Sequence, residues 1–369
     1  MRLLQKECGK CLRHPFLWIV CITFGLFQFL SIYTYVGNAG MRKELRQMHV
    51  AVTDEETASP EYESAYADYK KTYGGMYDTL DMHKILEQKE KKSGYEPQGV
   101  WGSWIVRNYD RLQKRVEQIR KTGEGTYAFY PGNWYKLHTT LYGKLWKKLI
   151  LQTAVLMILS MLYLMDYERI YKTQDLVLAT STGKKMMEKK MLAGTLCGLF
   201  YAGLLTVFTL LVFFAAVPFQ NLWHVPVAAC MVAEPRLQMM YPFVTFWRLE
   251  QWRYFLLALV VLVGLLGIIA AVTAAVQLFL QNSYFSFAVL GLLFMGAYLL
   301  AYVQMGNVWD LIREFFNPTV LYATSGGWFM ENDLCLSFAG NEFAVLFCSG
   351  TAAVCLMAVG KRRYHRLEV

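Results

Sequence analysis

Two short runs in this chain carry residue types that could do chemistry. Cys8-Gly-Lys-Cys11 has the C-x-x-C spacing used for zinc binding and for thiol exchange, and Ser181-Thr-Gly-Lys-Lys185 carries the glycine and lysine of a phosphate loop. Neither run is complete. A structural zinc wants four ligands and only His14 stands near the cysteines. The phosphate loop G-x-x-x-x-G-K-[ST] needs a hydroxyl after its lysine to hold Mg²⁺, and Lys185 stands in that place. The remaining polar residues that could act inside apolar surroundings include Gln28, Ser31, Gln152, Thr153, Thr273, Gln277 and Ser286, and no acid or histidine is among them. Intramembrane hydrolysis and ion-gradient coupling both require such a group. These amides and hydroxyls therefore read as interhelical hydrogen bonders, and the chain reads as neither an enzyme nor a metal protein.

The elements that hold these residues are six apolar runs without Asp, Glu, Lys, Arg or His, at 16–35, 149–165, 191–217, 254–280, 284–303 and 343–360. At about 1.5 Å rise per residue, a run of about 20 reaches the ~30 Å of a bilayer's hydrocarbon core. The expected fold class is an all-α integral membrane protein with six transmembrane helices and a helical extracellular domain at 37–148. Residues 1–15 precede the first span, 166–190 form an inner loop, 218–253 and 304–342 form outer loops, and 361–369 form an inner tail. A composition that is 55% hydrophobic agrees with that class.

Charge orients the chain. Lys and Arg crowd the amino-terminal segment (Arg2, Lys6, Lys10, Arg13), the 166–190 loop and the carboxyl tail, and are sparse in the short loops on the other side. Both termini are therefore expected in the cytoplasm of a plasma-membrane protein. Basic residues flanking the large insert, among them Lys144, Lys147 and Lys148, run against this bias, but loops longer than ~60 residues translocate largely regardless of charge. The net charge of +9 is thus a matter of topology, and no nucleic-acid face is read from it. The insert has no cysteine, which fits a Gram-positive type of bacterial surface better than a disulfide-stapled module. Whether Cys230 and Cys335 pair stays open.

Within the insert, Ser59-Pro60-Glu61 opens a helix with Tyr62, Tyr66, Tyr69 and Tyr73 on one face, and further helices are expected over 78–92 and 101–121. Trp101, Ile105, Leu112, Val116 and Ile119 form the packing face of the last of these. The alternation of aromatics and lysines over 134–148 suits a segment lying at headgroup level. At the amino terminus, Leu4, Cys8, Cys11 and Leu12 share one helical face and Lys6, Lys10 and Arg13 another, so that this helix should lie along the inner membrane surface before Pro15.

The stretch Tyr163-Leu-Met-Asp-Tyr-Glu168-Arg, then Asp175-Leu-Val-Leu-Ala-Thr-Ser-Thr-Gly183-Lys and Lys189-Lys190 entering the third span, resembles the type-2 class of ABC transporter permeases. The amino-terminal segment from Glu7 through Lys10 and Arg13 is similar to that family's interfacial elbow, and Asn317-Pro318 ahead of the last span is similar too. The large insert departs from the compact members. The resemblance implies an exporter permease subunit that works as a homo- or heterodimer with ATP-binding-cassette ATPase subunits. ATP and Mg²⁺ would then bind on the ATPase, and membrane lipid would surround the spans. Coupling would fall on Tyr167, Glu168, Arg169, Asp175, Gly183, Lys184, Lys185 and Lys190. Glu168 is expected at the water boundary, pairing with Lys172 or with a basic residue of the partner. Gly194, Gly198 and Ala202 form a small-residue stripe that serves either packing within the subunit or dimerisation. A transmembrane signal or mechanical transmitter, and a ligand-binding surface receptor, are the alternative functions.

Overall fold

The computed structural model describes residues 2–37, 75–93, 99–126, 137–173, 183–217, 222–231, 244–303, 308–331 and 338–367, with positions 64, 67, 71 and 219. Among the described residues the secondary structure is helical, apart from two isolated bridges, Pro226 with Glu250 and Thr245 with Met330. Helix α1 (Arg2–Leu12) leads into α2 (Pro15–Val36), and the insert contributes α3 (Met82–Ser93) and α4 (Gly99–Thr122). A π-helical segment (Thr139–Leu145) runs straight into α5 (Trp146–Met165), which is followed by the short α6 (Tyr167–Ile170) and by α7 (Gly183–Ala216). Then come α8 (Val227–Met231), α9 (Gln251–Leu280), α10 (Ser283–Ala301), α11 (Val308–Phe315), α12 (Thr319–Ala323) and α13 (Asn341–Leu367).

Six of these elements are long and apolar enough to cross a membrane: α2, the joined π-helix and α5, α7, α9, α10 and α13. They alternate in direction, so that one end of the bundle gathers α1 and the turns after α5 and α9, while the other carries the insert. Local sequence explains the tightest of these turns. Gln281 takes a left-handed conformation at φ 52°, and the Asn282 side chain accepts from the N–H groups of Tyr284 and Phe285, capping α10 directly after α9 ends. Helix α5 is central, with 67% of its apolar stretch buried against 17% for α10. It packs on α7, α9 and α2, while α9 pairs with α13.

Several elements exceed their expected bounds. Helix α7 is 34 residues long, roughly 50 Å at the standard rise, and starts at Gly183 in place of 191, so Lys184 to Lys190 lie on a helix and not in a loop. Its first turns therefore project past the ~30 Å apolar layer. The tail is helical as far as Leu367. The stretch 137–145 is packed into the protein. Leu137, Leu141, Tyr142 and Leu145 are fully buried, and the backbones of Gly143 and Gly326 touch, leaving a Cβ on Gly326 only 3.0 Å from the Gly143 Cα. The 304–342 segment carries α11 and α12 in place of a plain loop.

The insert has its own small core. Leu112, Val116 and Ile119 of α4 pack on Tyr77, Leu80, Met82 and Ile85 as the periodicity of α4 indicates, and Ala228 and Val244 of the neighbouring loops join them. The tyrosine stripe at 62–73 and residue Cys335 lie outside the described residues. Arg115 fixes this core by a bidentate pair with Glu124 (3.1 and 2.5 Å) and by a hydrogen bond to the Thr245 carbonyl (3.2 Å). Burial opposes ionisation of Glu124, yet the hydrogen bonds and charge of Arg115, with help from Thr122 and Arg248, hold its carboxyl below the ordinary 4.5. A depressed carboxyl contributes stability above its unfolded pKa and loses it as pH falls through the folded one. Hydrogen exchange of the α4 amides should thus be flat near neutrality and accelerate below about pH 4.5 after correction for intrinsic rates. In Glu124→Gln that acid-dependent rise should shrink.

Candidate functional site

At the α1 end, charges from four stretches of the chain meet under cover. Glu7 on α1 is 1% exposed, Glu168 on α6 and Lys190 on α7 are each 5% exposed, and Asp166 at the end of α5 is 8% exposed. Lys10 reaches Glu7 at 2.6 Å and Glu168 at 3.3 Å, and Lys190 pairs with the other oxygen of Glu168. Asp166 accepts from the Ser283 N–H at 3.3 Å and so adds the start of α10 to the same assembly. Further out, Glu188 on α7 pairs with Lys361 on α13 at 3.4 Å. The sequence places Glu7, Lys10, Glu168 and Lys190 in three separate stretches, and the fold turns them into one network. Burial is what gives it leverage. Two carboxylates and the Lys190 ammonium are removed from water, with Lys10 partly covered beside them, and they cannot separate without leaving uncompensated charge.

The expected Glu168–Lys172 pair does not form. Helix α6 stops at Ile170, Lys172 takes a left-handed conformation at φ 55°, and the Thr173 N–H closes the end on the Glu168 carbonyl at 2.8 Å. The i,i+4 geometry is lost there, and the Glu168 side chain turns inward. Lys10, on the polar face expected of α1, is only partly exposed: its ammonium reaches Glu168 and lies 4.4 Å from the centroid of the Tyr167 ring. Tyr167 itself stands in a file of rings with Tyr163 and Tyr171, and His14 closes on Tyr163 with centroids 4.3 Å apart.

No family model, no curated protein and no solved structure matches this chain. The geometry alone therefore defines the site.

The other singled-out residues fall into three places. Arg13 and Arg169 are exposed at the surface beside the network, and α6 carries Ile170 and Tyr171 outward, 50% and 53% exposed. Gly183 opens α7 with Lys184 and Lys185 on its first turn, and Asp175 lies outside the described residues. Gly194 and Gly198 face α5 of the same chain: a Cβ on Gly194 would lie 3.1 Å from the Met161 Cα, and one on Gly198 3.1 Å from the Met157 Cα. Ala202, one turn further on, is 2% exposed. The stripe thus serves packing within the chain.

The C-x-x-C run meets a third cysteine that spacing could not reveal. The Cys197 thiol on α7 lies against those of Cys8 and Cys11 and 3.8 Å from the Cys8 carbonyl, while the Tyr201 hydroxyl donates to the Cys11 carbonyl at 3.4 Å. Burial first, then the neighbouring Cys197, pushes the Cys8 thiol up to about 11, so it stays protonated and weakly nucleophilic. Among the described residues no group of three or more His, Cys, Asp or Glu is disposed to hold a metal ion.

Proposed function

We propose that the chain is the membrane-spanning permease subunit of an ATP-binding-cassette exporter, oriented with the α1 end in the cytoplasm of a Gram-positive type of cell. It works with a second permease subunit and with separate ATPase subunits that bind ATP and Mg²⁺. One observation carries the reading: the buried charge network joins α1, the end of α5, α6, the start of α7 and the start of α10 directly behind an exposed tip made of Arg169, Ile170, Tyr171 and Lys172. A push on that tip is passed on, because the elements behind it are tied to one another by ion pairs and hydrogen bonds that are buried or partly buried. Discrete repacking of such contacts is how a small displacement becomes a tilt of whole helices. The resemblance of this same stretch to the coupling segment of type-2 permeases agrees with the placement, and that resemblance also supplies the partner subunit.

The test is association. An ATP-binding-cassette ATPase should copurify with the chain from its native membrane, and Ile170→Asp should weaken that association by tenfold or more while leaving the chain's own unfolding temperature unchanged. Loss of an exposed apolar contact in the centre of an interface has effects of that order. Absence of any ATPase, or an unaltered complex with Ile170→Asp, would refute the proposal.

A further inference from the structure

At the insert end, two ammoniums converge on one ring. Lys144 of the π-helix and Lys148 of α5 lie 5.2 and 4.9 Å from the centroid of Tyr35 on α2. Lys148 also donates to the Ser31 hydroxyl at 3.0 Å and stands 5.3 Å from the Phe27 ring. Like charges sharing one ring repel each other. Among the described residues neither lysine has a carboxylate partner; what holds them is a hydroxyl and aromatic faces.

Phe27, Ser31 and Tyr35 recur every four residues, so they line one face of α2 and form the wall opposite the lysines. Ser31 is buried at the middle of that wall, with the half-buried Tyr35 on one side and Phe27, 51% exposed, on the other, so the groove between the wall and the lysines adjoins an apolar surface that faces outward from the bundle. Depth agrees with this division. The uncharged run of α5 begins at residue 149, so Lys144 and Lys148 stand in the two turns directly before it, at the edge of the ~30 Å hydrocarbon layer.

We propose that this groove binds one anionic phospholipid of the leaflet on the insert side, its phosphate between Lys144 and Lys148 and one acyl chain along Phe27. The charge complementarity explains why lysines stand on the side of the membrane that the positive-inside bias leaves poor in them. It also commits the site to an amphiphile, because the groove supplies an apolar wall that a free anion cannot use. The inference rests on the six-span reading and is independent of the permease proposal.

The full chain, purified and placed in nanodiscs of phosphatidylglycerol or phosphatidylcholine with matched acyl chains, can be released and weighed by native mass spectrometry. The parent should retain phosphatidylglycerol selectively. Each lysine at an anionic surface contributes about fivefold, so Lys144→Gln/Lys148→Gln should lower that selectivity by about 25-fold. Lys144→Arg/Lys148→Arg should keep it, and Lys114→Gln on the exposed face of α4 should change nothing. Equal retention of both lipids by the parent, or unchanged selectivity in the glutamine variant, overturns the site. Displacement of the lipid by excess inorganic phosphate alone would instead assign the lysines to a free anion and also overturn it. If the glutamine variant does not accumulate, amine acylation of the parent decides: Lys144 and Lys148 should be protected in phosphatidylglycerol vesicles and modified in phosphatidylcholine vesicles, and equal modification refutes the proposal.

Discussion

Glu168→Lys is expected to destabilise the chain by about 3–5 kcal/mol, the cost of removing one member of a buried ion pair, because Lys10 and Lys190 would then face each other and a third ammonium with only Glu7 and Asp166 nearby. On an exposed helix the same substitution would sacrifice a pair worth only about 0.2–0.5 kcal/mol. The two magnitudes are far enough apart to be read from steady-state membrane levels and from denaturant unfolding in detergent. The double variant Glu168→Met/Lys190→Met should recover most of the loss, since apolar replacements of similar volume for a buried pair are often neutral or stabilising. A single substitution that costs less than about 1 kcal/mol would place Glu168 at the surface.

Gly194→Leu/Gly198→Leu is the second large effect expected. Both positions press on methionines of α5, and a Cβ at either would sit 3.1 Å from a backbone Cα. The methionine side chains can yield, but the α5 backbone must also retreat. Overpacking costs about 1–3 kcal/mol per site, and alanine at either position should cost less than leucine because only the backbone approach is strained. In a bilayer the loss is of close packing, since apolar contact with lipid is no worse than contact with a neighbouring helix. The expected result is separation of α7 from α5, read as lost cross-linking between cysteines placed at Thr195 and Met161, whose side chains meet at 3.5 Å. Unchanged cross-linking and stability in the double variant would show that the glycines do not set this interface.

Much of this architecture can be read from residue types alone, because a span is defined by what it lacks. Six stretches without charge give six membrane-length helices, and the period of Leu112, Val116 and Ile119 gives the packing face of α4. Helix ends are harder. Lys184 to Lys190 are polar enough to read as loop, but lysine is a good helix former and α7 simply continues through them. The direction in which Glu168 points could not be read at all. It depends on a left-handed turn at Lys172, a residue type with no preference for that conformation, and on two lysines more than a hundred and about twenty residues away in sequence. The meeting of Cys197 with Cys8 and Cys11 is hidden for the same reason. Long-range pairing leaves no local periodicity.

The insert is bound to the loops that follow it by Tyr77 to the Ala228 carbonyl, Arg115 to Thr245, and Lys89 to Glu331, a residue with no exposed surface. Three segments far apart in sequence thus share one set of buried polar groups. In evolutionary terms they form a single heritable block: a lineage that shortened the stretch before α5 would strip cover from Val244 and take the Lys89 partner from a buried carboxylate, and could survive only by rewriting the loops before α9 and α13 as well. Relatives of this chain should therefore vary in all three segments together or in none.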